Sequence, residues 1–367
     1  MIKKLIVVVV ALSVSLVLVI GIGCAPRAAD REVEPVQEEE TDVIQAQTVE
    51  EAMAATGEEP IETDTSIPVT IGVIQITLEH EYQVLLNRGY QDQAAEMGAE
   101  VIIQVTELSP EVDVTAAEDL ITAGVDAIIM APSDPSSWRA VLELCRSAGI
   151  PLLNDGSPQP IEENVVPFIG TDSFGGGREA GTIAADWINE NLDGSAIVVG
   201  LTLPTFTDCV ARNEGFNEAL FEIATGDITL IEENGEGLRE AGLVATENIL
   251  QAEPGVDVLF GCNDDSALGG MSAMEAAGKS REDNLVIGFD GTLGAFEQIA
   301  AGTMMRADIV QLPYLYAQMH MDRAVKLARG EQSIEFYQDL GPVFVETPVV
   351  TEENVDEWIE RLSEMMP

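Results

Sequence analysis

From Pro68 onward, short apolar runs alternate with longer stretches whose apolar residues recur every three or four positions. The short runs predict buried strands and the 3.6-residue recurrence predicts helices. The first strand is Val69-Thr70-Ile71-Gly72-Val73-Ile74. A helix over 82–97 ends at Gly98, and a strand covers 100–105. A helix over 112–123 then leads to the strand Ala127-Ile128-Ile129-Met130. A helix over 138–148 closes at Gly149, with short strands at 150–153 and 166–169. The cycle starts again with helices over 175–191, 212–224, 242–252, 267–277 and 296–301. Strands at 196–199, 228–231, 256–260, 285–289 and 305–310 are set between them. A long helix over 313–329 and a short amphipathic one over 354–362 follow. Such alternation predicts βαβ units with parallel sheets, and two successive cycles predict two similar α/β lobes.

One strand ends in chemistry. Val286-Ile287-Gly288-Phe289-Asp290-Gly291-Thr292 is a buried strand that stops at a carboxylate and a glycine. Ligands of open α/β sheets bind outside the carboxyl ends of such strands, so Asp290 is placed to meet one.

Before Pro68 the pattern is different. Lys3 and Lys4 precede an apolar stretch that closes with Gly21-Ile22-Gly23-Cys24, the plan of an export signal over 1–24. The closing residues resemble the lipobox of bacterial lipoproteins, which implies a lipid on Cys24 and a body anchored outside the cytoplasm; an uncleaved membrane anchor is the alternative. Residues 25–66 are rich in Glu, Thr, Ala, Gln and Pro, and predict a disordered acidic tether.

Charge narrows the partners. The chain carries 65 acidic against 17 basic residues, a net charge of −48. That field repels phosphates, so nucleic acid is excluded as a partner. No phosphate-binding loop, nucleophile elbow or dinucleotide fingerprint is present, and Gly175-Gly176-Gly177 has the wrong spacing for the last. No enzyme and no cofactor are predicted. With His80 and His320 as the only histidines, a histidine-rich metal site is also excluded.

Three ordered segments carry a resemblance. Phe260-Gly261-Cys262-Asn263-Asp264-Asp265-Ser266-Ala267-Leu268-Gly269 is followed by the 286–292 strand, then by Ala307-Asp308-Ile309-Val310-Gln311-Leu312-Pro313. Ile129-Met130-Ala131-Pro132-Ser133-Asp134, Ala148-Gly149-Ile150-Pro151 and Ala211-Arg212-Asn213-Glu214-Gly215-Phe216 add to the set. Together, over about 67–350, they resemble the ribose/galactose-type periplasmic sugar-binding proteins of ABC transporters. The resemblance implies the type I periplasmic binding protein architecture, two Rossmann-like lobes joined by a three-segment hinge. It implies a first lobe of 67–172 plus 312–340 and a second of 173–311 plus 341–350, with a C-terminal helix in 351–367. It also implies capture of a sugar by a monomer and delivery to an ABC permease.

The same resemblance implies site residues: Arg212, Asn263, Asp290, Gln311 and Asp155, with Asn154 as the alternative to the last. Their chemistry suits a hydroxyl, which both donates and accepts and needs carboxylate, amide and guanidinium groups around it. Asn263 and Asp290 could instead cap the helices that follow. After the opening strand, where the family usually has Asn-Pro and two aromatics, the chain reads Thr77-Leu78-Glu79-His80-Glu81-Tyr82. Tyr82 can supply a stacking ring, and His80 falls where an asparagine is expected. Glu79 and Glu81 hint at a more polar ligand than ribose. Trp138 starts a helix near the same crevice, with the core as its other location. Cys209 and Cys262 both lie in loops near the cleft, where an exported pair could form a disulfide or remain two thiols; Cys145, on an apolar helix stripe, is a buried hydrophobe. A binding protein that serves a chemoreceptor or sensor kinase is the nearest rival. A sugar-responsive transcription regulator would need a basic DNA-binding segment.

Overall fold

The computed structural model describes residues 43–46, 48–58, 61, 63–78 and 80–365. The export segment, Cys24, the tether up to residue 42 and Glu79 lie outside them. Among the described residues no helix is long and apolar enough to cross a membrane.

The strands assemble into two large sheets and one small one. The first lobe's sheet has five parallel strands in the order Glu100–Val105, Thr70–Gln75, Ala127–Met130, Leu152–Asn154, Val165–Val166. The second has six, in the order Val349–Thr351, Met305–Val310, Leu285–Asp290, Val258–Gly261, Ala196–Thr202, Ile228–Asn234. Only the edge strand Val349–Thr351 runs antiparallel. Buried strands such as Ala127-Ile128-Ile129-Met130 are apolar throughout because both faces are covered.

In the first lobe, helices Pro110–Ala123 and Pro135–Ala148 cover one face over Ile74, Leu120, Ile128, Val141 and Leu152. Trp138 and Cys145 are buried in that core. On the other face, helix Glu81–Glu96 packs against Pro313–Ala328, so the chain returns to this lobe after the second sheet. In the second lobe, helices Ser173–Asn191 and Thr207–Ile223 lie on one face, and Arg239–Ala252 with Asp264–Ala276 on the other.

Strands Ile169–Thr171 and Val343–Val345 pair in parallel where the chain crosses between lobes. The single strand expected over 166–169 is two, Val165–Val166 and Ile169–Thr171, because Pro167 has no N–H for a sheet ladder. The tether is also folded from residue 43. Strand Val43–Ile44 adds to the hinge sheet beside Val343–Val345, and helix Val49–Thr56 follows. Thr48 caps that helix through Glu51 N, and Gly57, at φ 81°, closes it. Ala52 and Met53 are buried, and Glu58 forms a buried ion pair with Arg323 at 2.6 Å. Composition averages missed this because two apolar residues and one paired carboxylate are enough to dock a short helix.

The C-terminal helix Val355–Met365 packs on Leu293–Ala300, with the Trp358 and Phe296 rings 6.2 Å apart.

Candidate functional site

Asp290 is the last residue of strand Leu285–Asp290, and its φ of 148° is a conformation that residues with a side chain rarely adopt. Gly291, at φ 84°, turns the chain away at once. Thr292, not Asp290, caps the next helix by accepting from Ala295 N. The Asp290 carboxylate is therefore free of capping duty. Its Oδ1 accepts from Arg212 Nη1 at 3.3 Å and Gln311 Nε2 at 2.6 Å. Burial raises its pKa, opposed by the Arg212 charge and the Gln311 hydrogen bond.

Arg212 is held in place by packing. A Cβ on Gly177 would come 2.1 Å from the Arg212 carbonyl oxygen, so glycine is what lets helix Ser173–Asn191 press against helix Thr207–Ile223 here. The glycine run with the wrong spacing for a nucleotide thus serves helix contact. The guanidinium lies 4.0 Å over the Phe289 ring, and Nη1 also donates to Cys262 O at 2.8 Å. Its buried Nε has no partner. Such an orphaned donor is costly unless a hydroxyl or water meets it.

Gln311 lies at a crossing between lobes, and its Oε1 accepts from Thr171 Oγ1 at 2.6 Å. Thr171 Oγ1 is also 3.1 Å from Tyr316 Oη. Across the cleft, Asp155 takes a short hydrogen bond from Tyr90 Oη and lies 3.3 Å from His320 Nε2. Asn154 is turned into its own loop, donating to Ser157 O. Tyr82 lines the gap beside Asp155, and burial, then that neighbouring charge, drives its hydroxyl well above the usual range.

Asn263 takes its capping role. Its Oδ1 accepts from Ser266 N at 3.1 Å and Ser266 Oγ at 2.6 Å, while Nδ2 donates to Gly237 O at 2.8 Å. It stands at the same end of the sheet, engaged with its own lobe. Cys209 and Cys262 are free thiols in this structure, and Cys209 Sγ lies 4.0 Å from the Cys262 carbonyl oxygen. The Cys262 thiol, as donor, pulls Cys209 below its ordinary value.

The lobes are shut. His80 Nδ1 meets Asp265 Oδ2 at 3.1 Å, Leu293 N donates to Glu81 Oε1 at 2.6 Å, and Ser157 Oγ donates to Asp208 Oδ2 at 2.8 Å. His80 thus joins the lobes, and burial raises the pKa of Glu81. Asp208, Thr171, Tyr90 and Tyr316 were not legible in the sequence, where they lie on helix or hinge segments without a motif. About 30 Å³ remains between the lobes, beside Tyr82, Asp155, Phe168, Thr171, Asp208 and Gln311. That is small against the roughly 300–1,000 Å³ of ordinary ligand pockets, so entry requires the lobes to part. A larger cavity of about 540 Å³ lies behind the hinge, near Met53, Leu85, Met97, Leu312 and Trp358. Size favours that cavity, but Asp155, Asp208 and Gln311 line the small one, with Gln311 joined to Asp290, and orientation-setting polar groups are what mark a site for a polar ligand.

His80→Ala is expected to weaken closure by about 0.5 kcal/mol, because the pair is partly exposed and such pairs contribute about 0–1 kcal/mol. Titration calorimetry would read this as a roughly twofold loss of affinity for a molecule held between the lobes. A loss beyond tenfold would instead make His80 a direct ligand contact.

Known proteins agree with this architecture. The model of the periplasmic binding protein domain matches residues 71–332. The ribose import binding protein of Bacillus subtilis (strain 168) is 29% identical over 265 residues, 72% of this chain and 83% of that one. The D-ribose/D-allose-binding protein of Pseudomonas aeruginosa is 28% identical over 300 residues, 79% of this chain and 90% of that one. An ABC transporter periplasmic solute binding protein from Actinobacillus succinogenes 130z, solved with bound D-allose, superposes with a TM-score of 0.70. It is 27% identical, over 79% of this chain and 99% of that one. The Caulobacter myo-inositol binding protein bound to myo-inositol gives 0.71 at 25% identity, over 81% and 97%. With two parallel-sheeted lobes closed over a polar cleft and a family match across most of its length, the chain belongs to the periplasmic binding protein family.

Proposed function

We propose that this protein captures a sugar or sugar-like polyhydroxy molecule between its lobes, outside the cytoplasm, and delivers it to an ABC transporter permease. The observation that carries this is the convergence of Asp290, Arg212 and Gln311 at one strand end, with an unpartnered Arg212 Nε beside them. The relatives point the same way, since they are a ribose import and a D-ribose/D-allose-binding protein. A ligand touching both lobes stabilises the closed state by the difference in its affinity for the two forms. Asp290 would accept from hydroxyls and Arg212 would donate to them. Tyr82 would pack on the ring face. Asp155 would add a first-lobe acceptor, and His80 would close the mouth over the ligand.

The finer organisation follows the sequence. Cys24 would carry a lipid and residues 25–42 would hold a monomeric body off the membrane. The lobes would divide as 67–172 with 312–340 and 173–311 with 341–350, the folded 43–58 segment joining the first and the C-terminal helix the second.

The test is thermal melting with D-ribose, D-allose, myo-inositol, pentoses, hexoses and amino sugars. A ligand at a hundred times its Kd adds about 2.7 kcal/mol of stability, which raises Tm by roughly 4 °C in a protein of this size. If no polyhydroxy compound raises Tm, the capture reading fails.

A further inference from the structure

Behind Asp290 lies a pair of carboxyl groups that no ligand would touch. Asp264 and Asp308 are 1% and 0% exposed, and their carboxyl groups lie side by side. They pack over Gly288, where an added Cβ would come 2.3 Å from Asp264 Oδ1 and 3.3 Å from Asp308 Oδ1. Only a residue without a side chain leaves room for both. Neither Asp308 oxygen meets a cation or a side-chain donor among the described residues. Two buried, touching carboxylates cannot both be ionised without large cost, so the pair retains a proton.

Geometry assigns that proton. Asp264 is the first residue of helix Asp264–Ala276, where the helix dipole favours negative charge. Its Oδ2 accepts from Thr292 N at 2.9 Å and Thr292 Oγ1 at 2.8 Å. Asp308, in the middle of strand Met305–Val310, accepts from no donor among the described residues and lies beside Asp264 and the Gly291 backbone. Asp308 is therefore the neutral acid and Asp264 the carboxylate that accepts from it. Asp264 grips the Gly291–Thr292 turn through Thr292 and Asp308 packs beside it, immediately after the residue held at φ 148°.

We propose that Asp264 and Asp308 are positioning residues for the ligand site: one ionised and one protonated, they clamp the Gly291–Thr292 turn and so hold Asp290 in its strained conformation facing Arg212 and Gln311. The consequence for ligand rests on the reading of Asp290 as a ligand carboxylate; the clamp itself does not.

The surroundings fit a retained proton. Burial, then the Asp290 charge, pushes Asp264 up to about 7, and burial with the Asp264 charge drives Asp308 well above the carboxylate range. Arg212 faces Asp290, not the pair, and Asp265 faces His80 and Arg239. The edge strand Val349–Thr351 carries no charge, and Glu297, the one charged residue of helix Leu293–Ala300, is exposed.

The test compares the natural protein with Asp308→Asn, whose amide can still donate to Asp264 but cannot ionise. A proton kept by the folded state and released by the unfolded chain above pH 4 makes stability fall as pH rises. Without any ligand, the ratio of the natural to the variant unfolding constant, from urea melts, should therefore rise about tenfold per pH unit between pH 5 and 7. Parallel pH profiles would overturn the shared proton. Amide exchange at Gly291 and Thr292 should stay within about threefold in Asp308→Asn and accelerate at least tenfold in Asp308→Val; unchanged exchange in the valine variant would overturn the clamp. A third arm measures D-ribose, D-allose and myo-inositol by calorimetry, where Asp308→Val should lose at least tenfold in affinity for whichever binds. If none binds the natural protein, the capture reading is what fails, and the first two arms still decide the clamp.

Discussion

Replacing Asp290 with asparagine is expected to weaken sugar binding by about a hundredfold, or about 2–3 kcal/mol. The carboxylate is buried, accepts from Arg212 and Gln311, and is the only negative charge in contact with that guanidinium among the described residues. Hydrogen bonds to a charged group contribute about 1.5–3 kcal/mol each, and a bound sugar would place its hydroxyls against this one. Asparagine keeps the size and one acceptor, so packing around Phe289 and Gly291 should survive. What it loses is charge: the buried Arg212 is left without its counter-ion, and the amide N–H₂ donates where the hydroxyls also need to donate. Titration calorimetry with the sugar that raises Tm measures the change. A loss under threefold would remove Asp290 from the site.

Glu58→Ala should destabilise the protein by about 3–4 kcal/mol without touching the cleft. Arg323 is 1% exposed and is held by Glu58 Oε1 at 2.6 Å and 3.2 Å, with its guanidinium 4.8 Å over the Tyr337 ring. Removing one partner of a buried pair costs about 3–5 kcal/mol because the other charge stays behind without compensation. The double variant Glu58→Ala, Arg323→Met should recover much of the loss, since a buried pair replaced by an apolar side chain is often nearly neutral. Urea unfolding gives both numbers. A change below about 1 kcal/mol for Glu58→Ala would mean that residues 48–58 are not docked as the structure shows.

The helices show where a sequence stops being legible. Apolar recurrence located most of them, missing Val49–Thr56 and Ile334–Leu340, and it placed several starts late: 112 for Pro110, 138 for Pro135, 212 for Thr207 and 267 for Asp264. An N-terminal turn is set by its capping hydrogen bonds, here those of Ser109, Asp134 and Asn263, and its residues need not bury anything. Asn263 shows the same limit in the site, because a cap and a ligand amide ask for the same residue type. The Asp264–Asp308 pair was invisible for another reason. Nothing in the spacing of two aspartates 44 positions apart says that Gly288 brings them together.

Sequence alone determined the α/β class, the two repeated lobes and the strand-end carboxylate Asp290, because these follow from local periodicity and from where a buried strand must stop. Tertiary structure decided which polar groups face each other. It placed Arg212 and Gln311 on Asp290, set Asp155 between Tyr90 and His320, and gave His80 to Asp265 across the cleft. It also placed strand Val43–Ile44 in the hinge sheet and folded Val49–Thr56 as a helix. Each of these depends on contacts between segments far apart in the chain, and the energy of such a contact is fixed by burial and geometry, which no local pattern of residues encodes.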